Sequence, residues 1–478
     1  MRRTELAAAA AMLAAGLAVM SAAGAAGADA PQNLLAHDLF KELIEINTTD
    51  SVGSVTLASE AMARRLLQAG YPAADVQVLG PKERKKNLVV RLRGTGKHRP
   101  VLLIGHLDVV EARREDWTTD PFRFVEKDGF FYGRGTLDMK DGDAIMVATL
   151  IRLKKEGFKP SRDIILALTA DEEGGSSNGV DWLLREHRPL LDAQFVLNHD
   201  GFSVLEEHGK PQFYELDATE KVYADYQLTT TNSGGHSSLP VPDNAIYELA
   251  HGLTRIAGHE FPFELNSVTR GYYEQMATIE TGQRAADMRA ILQAKPDPAA
   301  ISRLSHDPLD HSTMRTTCVA TRLEGGHANN ALPQKAQAIV NCRILPGHSP
   351  EEVRQQLIQV LADPRIMVRY VADDGAVAAV APEKRGFPPP PLDPQVMTPL
   401  KSLVGDMWPD LKIIPTMSTG ASDGVYTTAA GLPTYLVTGI AIERGDIRMH
   451  GRDERVGVES FYRGNEFFYR YLRALTEN

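Results

Sequence analysis

Cysteine is nearly absent from this chain: only Cys318 and Cys342 occur in 478 residues. Two cysteines cannot build a disulfide scaffold or a thiolate-rich zinc site, so any metal here depends on His, Asp and Glu. Beyond residue 28 no apolar run is long enough to span a bilayer. No Lys/Arg tract offsets the formal net charge of -10, which argues against nucleic acid as a partner. The chain also lacks a GxxxxGK[ST] phosphate loop and any internal repeat.

What is present begins at the N-terminus. Arg2 and Arg3 precede an Ala/Leu/Met run over residues 6–20, and small residues follow as far as Ala28. A basic head, an apolar middle and a small-x-small end read as a signal peptide over 1–28, which predicts an exported protein, periplasmic or secreted. The competing reading is an uncleaved anchor. The remainder has ordinary globular composition, 43% hydrophobic and 24% charged over the whole chain, and is long enough for two domains.

Helical spacing appears at Leu35, Leu39, Leu43 and Ile46, and again over 59–69. Short apolar strands are predicted at 87–92, 100–105, 163–169 and 194–197, with helices at 142–156 and 180–186 between the last three. This alternation is an α/β pattern, in which ligands collect at the carboxyl ends of strands. Three such ends carry His106, the run Asp171-Glu172-Glu173, and Asp200. Near Asp217 the texture changes. Strands at 222–230, 316–324, 336–345 and 366–370, with helices at 244–256 and 350–361, describe an α+β domain. A Pro-rich stretch over 382–394 then leads back to α/β texture. The expected organisation is a catalytic domain in two parts, 29–216 and 385–478, with a mostly parallel central sheet, interrupted by an inserted domain over 217–384.

His106 and Asp108 stand two apart and share a side of an extended segment, so Asp108 is placed to buttress the imidazole. Gly133 and Gly135 permit a tight turn that presents Asp138 before a helix. Adjacent Glu172 and Glu173 must be aimed differently, which suits one general base and one ligand. Without a cation such an acidic pair resists joint ionisation.

Gly105-His106-Leu107-Asp108-Val109, the run Gly133 to Gly142, and Thr169 to Gly174 resemble the signatures of the dinuclear zinc amidohydrolase and exopeptidase family of aminoacylase, glutamate carboxypeptidase, carnosinase-type dipeptidases and succinyl-diaminopimelate desuccinylase. The resemblance implies two zinc ions per subunit, bridged by Asp138. His106 and Asp200 would complete one site, Glu173 and His450 the other, and Glu172 would be the base. It also implies a cis peptide between Asp138 and Met139. In the insert, Ser233 to Ser238 resembles the family's histidine motif of the lid and dimerisation domain, so His236 would stabilise the oxyanion, often from the partner of a homodimer. Asn329 and Gly420 lie in segments resembling its substrate-binding loops. Arg343 stands where dipeptidase-like members bind a substrate carboxylate, a fork suited to that group; a surface salt bridge is the plainer alternative.

Together these residues imply a hydrolase of short peptides with a free carboxyl end, with aminoacylase-like removal of an N-acyl group as the alternative. A non-catalytic binding or assembly protein is the remote third reading. Finally, a hairpin centred near Asn329 and Asn330 would oppose residues whose numbers sum to about 660, and Cys318 and Cys342 do. A disulfide and two buried free thiols both fit; the demanding cross-strand geometry slightly favours the thiols.

Overall fold

The computed structural model describes residues 28–372, 375–383 and 388–477. The expected signal peptide therefore falls almost wholly outside the described residues. Among those residues no helix is long and apolar enough to cross a membrane.

A ten-stranded sheet forms the catalytic domain. At its centre Ile164–Thr169, Val101–His106, Phe195–Asn198 and Thr434–Leu436 run parallel in that spatial order. Every residue of the first three is buried, as parallel strands covered on both faces require. Their side chains alternate between two cores. Val101, Leu103, Leu166 and Leu168 meet the helices Pro31–Ile44, Lys140–Lys155 and Val458–Thr476. Leu102, Ile104, Ile165 and Ala167 meet Leu183 and Leu191 of the helices behind. Antiparallel pairs occur only toward the flanks, where Val76–Leu79 and Asn87–Leu92 extend one side and Lys210–Glu220 and Val204–Glu207 the other.

Lys210–Glu220 carries the chain directly into Val222–Thr231 of the insert. That strand is central to a five-stranded antiparallel sheet, flanked by Lys335–Ile344 and Met367–Val371. Strand alternation puts Ala336, Ala338, Val340, Cys342 and Ile344 into a core beneath the helices Ala245–Ala257 and Pro350–Leu361. Gln337, Asn341 and Arg343 take the opposite face.

The insert does not fold as one body. Four helices, Ser267–Ile279, Gly282–Ile291, Pro298–Leu304 and Pro308–Thr313, turn back onto the catalytic core, where Val268, Tyr273, Met276 and Met288 are buried. Sequence periodicity did not assign this stretch, in which Gly282–Ile291 carries almost no amphipathic signal.

Cys318 and Cys342 are register partners and form a disulfide, with Cα atoms 4.1 Å apart. This overturns the preference for free thiols. Loop-side pairs such as Arg322 with Ile339 run one residue out of step with the cysteine pair, and the bulge between Ala320 and Arg322 supplies the shift that sets Cys318 opposite Cys342.

Candidate metal centre and cleft

Three parallel strand ends and two loops converge at one point. His106 closes Val101–His106, and its Nδ1–H donates to the Asp108 carbonyl at 3.0 Å. That bond turns Nε2 outward, 3.1 Å from Asp138 Oδ1 and 4.0 Å from Asp200 Oδ1. His450, on a loop with φ of 60°, brings Nε2 to 2.9 Å from both Asp138 Oδ2 and Glu173 Oε1. Asp138 thus offers one oxygen to each histidine. The expected cis bond between Asp138 and Met139 is present.

The ligand atoms of His106, Asp138 and Asp200 form one cluster, and those of Asp138, Glu173 and His450 a second sharing Asp138. An overlapping set of His106, Glu172 and Glu173 also lies close together, but Glu172 reaches His106 only at 4.0 Å.

The electrostatics fit a pair of cations. His106 Nε2 is buried without a hydrogen-bond partner. Burial pushes the Glu172 carboxyl well above the usual range, reinforced by Asp200, Asp423 and Glu173, and lifts Asp200 to about 7 with help from Asp138. Asp138 goes the other way: although burial opposes it, His106 and His450 hold it below the usual range. So many carboxylates in one dry site resist ionising together unless cations compensate them. An all-nitrogen-and-oxygen donor set with one shared carboxylate suits two zinc ions. Bound there, they would polarise a scissile carbonyl and acidify water.

Asp108 does something other than buttress the imidazole. Its Oδ1 stands 3.9 Å from His106 Nδ1, and the carboxylate instead accepts the backbone N–H groups of Glu172 and Glu173 at 3.2 and 3.0 Å. The acidic loop is further pinned by Lys85, whose ammonium bridges Asp171 at 2.5 Å and Asp50 at 2.8 Å.

A cavity of about 660 Å³ opens on Asp138, Glu172, Glu173, Asp200 and His450. Gly420 lines it, as expected. Its far walls are largely apolar and come from both domains: Phe202, Val425, Leu436 and Met449 on one side, Val222, Tyr223, Pro346 and Tyr370 on the other. Arg343 lies on the uncovered face of the insert's sheet, with its guanidinium 4.8 Å from the Tyr223 ring. It makes no ion pair among the described residues and is not among the residues of the cavity wall, although Tyr223 beside it is. His236 and Asn329 are exposed and absent from the cavity wall. They sit together on a two-stranded ribbon, where His236 pairs with Ala331 and the Ser237 N–H donates to the Asn330 carbonyl at 3.0 Å.

Two carboxylates beside this centre escaped the sequence reading. Asp423 accepts from Thr169 Oγ1 at 3.0 Å and Asn178 Nδ2 at 2.6 Å, fastening the glycine-rich loop to the strand that leads into Glu172. Glu220, pushed by burial to about 8, accepts the Ser422 N–H at 2.6 Å. The only signal for Asp423 was its place in the run Ser418 to Gly424, where attention went to Gly420.

Fold and site together define a metal-dependent hydrolase of amide bonds, with a paired-metal donor set at the open end of a covered α/β sheet. The chain belongs to peptidase family M20/M25/M40, which its residues 102–474 match. Among curated proteins it is 28% identical over 389 residues to the N-fatty-acyl-amino acid synthase/hydrolase PM20D1 of Homo sapiens, covering 78% of this chain and 74% of that one. It is 26% identical over 386 residues to a probable carboxypeptidase S-like 2 of Dictyostelium discoideum, covering 78% and 71%. Among solved structures, an M20 family metallo-carboxypeptidase from Sulfolobus solfataricus superposes with a TM-score of 0.68 at 16% identity, over 92% of this chain and 98% of that one. Human carnosine dipeptidase 1 gives 0.63 at 14% identity, over 94% and 98%. These two likenesses establish the fold.

Proposed function

We propose that this protein is an exported, zinc-dependent amidohydrolase that cleaves N-acyl amino acids carrying a long apolar acyl chain. The observation that carries the reading is the cavity: polar at the ligand cluster, apolar along Phe202, Val222, Tyr223, Tyr370 and Leu436. Such a wall rewards an apolar ligand, since each buried methylene of an acyl chain contributes about 0.8 kcal/mol. The similarity to PM20D1 supports the same substrate class. This replaces the short-peptide reading as the first choice.

In this scheme Glu172, on the cavity wall, takes a proton from the attacking water and returns it to the leaving nitrogen. Asp108 holds the Glu172 and Glu173 backbones in their divergent directions. Arg343 receives the carboxylate of the amino-acid half, its guanidinium plane kept in place by Tyr223. The disulfide supports export, since such bonds persist in oxidising compartments.

The test is a chain-length series. Zinc-loaded protein is assayed by mass spectrometry against acetyl, octanoyl and palmitoyl amino acids and against dipeptides. We expect kcat/KM to climb with acyl length and to exceed that for any dipeptide. Faster turnover of dipeptides, or no gain with length, would return the protein to the peptidase reading.

A further inference from the structure

Arg134 and Glu454 are buried to 2% and 0% exposure and form an ion pair at 2.5 Å. Neither was singled out by the metal-site pattern, and neither contacts the cavity. A buried ion pair is weak evidence for stability, since well-packed apolar residues often replace one at no loss. The question is therefore what this pair holds.

It holds two segments that are remote in sequence and adjacent at the metal cluster. Glu454 Oε1 accepts the backbone N–H groups of Leu137 at 2.8 Å and Asp138 at 3.2 Å. Its Oε2 takes Arg134 Nη1, while Arg134 Nη2 donates to the His450 carbonyl at 3.3 Å. The Gly133 N–H returns to the Glu454 carbonyl at 3.2 Å. Trp117, itself buried, covers the guanidinium with its ring 5.0 Å away. One carboxylate and one guanidinium thus fix the backbones of Asp138 and His450 together.

His450 needs such a tether. Its side chain is about half exposed, at 54%, and its backbone occupies the left-handed region with φ of 60°.

We propose that Arg134 and Glu454 are the positioning pair of the metal centre, setting Asp138 and His450 at bridging distance and thereby determining affinity at the Asp138/Glu173/His450 site. His106 and Asp200 come from rigid strand ends and do not depend on the pair. Asp138 belongs to both clusters, whereas His450 belongs to one, so loss of the pair weakens the His450 site more than the His106 site. Partners outside the ligand shell typically change metal affinity by about 10- to 100-fold, and that is the expected size for E454Q and R134M.

The experiment is zinc titration of the full-length chain against a competing chelator, with thermal unfolding recorded in parallel. E454Q and R134M should bind the ion at the His450 site about 10- to 100-fold more weakly and lose clearly less at the His106 site. Cobalt substitution should alter one absorption envelope more than the other. R134K retains the charge but not the fork to the His450 carbonyl, and serves if the stronger variants do not fold; it too should weaken one ion more than the other. R284M, which breaks the Arg284–Asp310 pair in the helices of the insert, should lower thermal stability and leave both affinities unchanged. Wild-type affinity for both ions in R134K, or parallel loss of both ions in step with stability, overturns the proposal. The inference concerns the centre and not the substrate, so it survives failure of the acyl-chain assay. A wild-type protein that binds no zinc would refute the centre itself.

Discussion

Asp108 accepts the Glu173 backbone N–H at 3.0 Å, and with its other oxygen that of Glu172 at 3.2 Å. Two neighbouring acids with different tasks are thus aimed from one anchor. Removing the acceptor leaves two N–H groups without partners, at about 1–3 kcal/mol for each one buried. D108A should therefore lower kcat by roughly 5- to 150-fold, the range for one such loss appearing in the barrier. D108N, which keeps one acceptor oxygen, should fall between D108A and wild type. Steady-state kinetics decide this, with metal content measured on the same samples. Full activity in D108A would show that the acidic loop needs no anchor.

Glu172 is the acid of the pair that no histidine approaches closer than 4.0 Å, whereas Glu173 meets His450 at 2.9 Å. E172Q should abolish turnover and retain two zinc ions by elemental analysis. E173Q should lose metal. If E172Q loses metal instead, the roles of the two residues are exchanged.

Three of the ligands were legible in sequence because His106, Glu173 and Asp200 follow short apolar runs, as His106 does after Val101 to Gly105, whereas Asp138 and His450 come from loops. The central parallel strands were legible for the same reason. The helices between Ser267 and Thr313 were not, because their burial against the catalytic core is a tertiary event and Gly282–Ile291 is barely amphipathic. Arg134 and Glu454 were invisible for another reason: their partnership spans 320 positions, and nothing in either local segment announces it. The role first given to the Asp108 carboxylate belongs to its carbonyl, a distinction that residue spacing alone does not contain.

His236 and Asn329 lie outside the cavity of their own subunit, on an exposed ribbon of the insert. Nearby, Thr317–Gly325 is an edge strand with Val319 61% and Leu323 68% exposed, and unpaired apolar edges invite pairing with another chain. We predict a homodimer joined through the insert, in which His236 enters the partner's cleft. Analytical ultracentrifugation tests the state. Mixing inactive H236A and E172Q proteins tests the crossing, because subunit exchange would create one intact site. A fully active monomer at high dilution would defeat the idea.

The Cys318–Cys342 disulfide closes a loop with a sequence separation of 24. By chain entropy a loop of that length stabilises the fold by about 3 kcal/mol. Cys342 is fully buried and points into the insert's core, whereas Arg343 takes the opposite face of the same strand. Stability and substrate binding should therefore separate. C318A/C342A should unfold at lower temperature, yet retain kcat and KM within about twofold at 25 °C, because no side chain on the Arg343 face has changed. Alkylation under denaturing conditions, followed by intact-mass measurement with and without reductant, establishes whether the bond forms in the native protein. Two alkylated cysteines before reduction would remove it, and with it the structural support for an oxidising compartment. A large rise in KM for the double variant would mean instead that the bond sets the position of Arg343, coupling the two faces of the sheet.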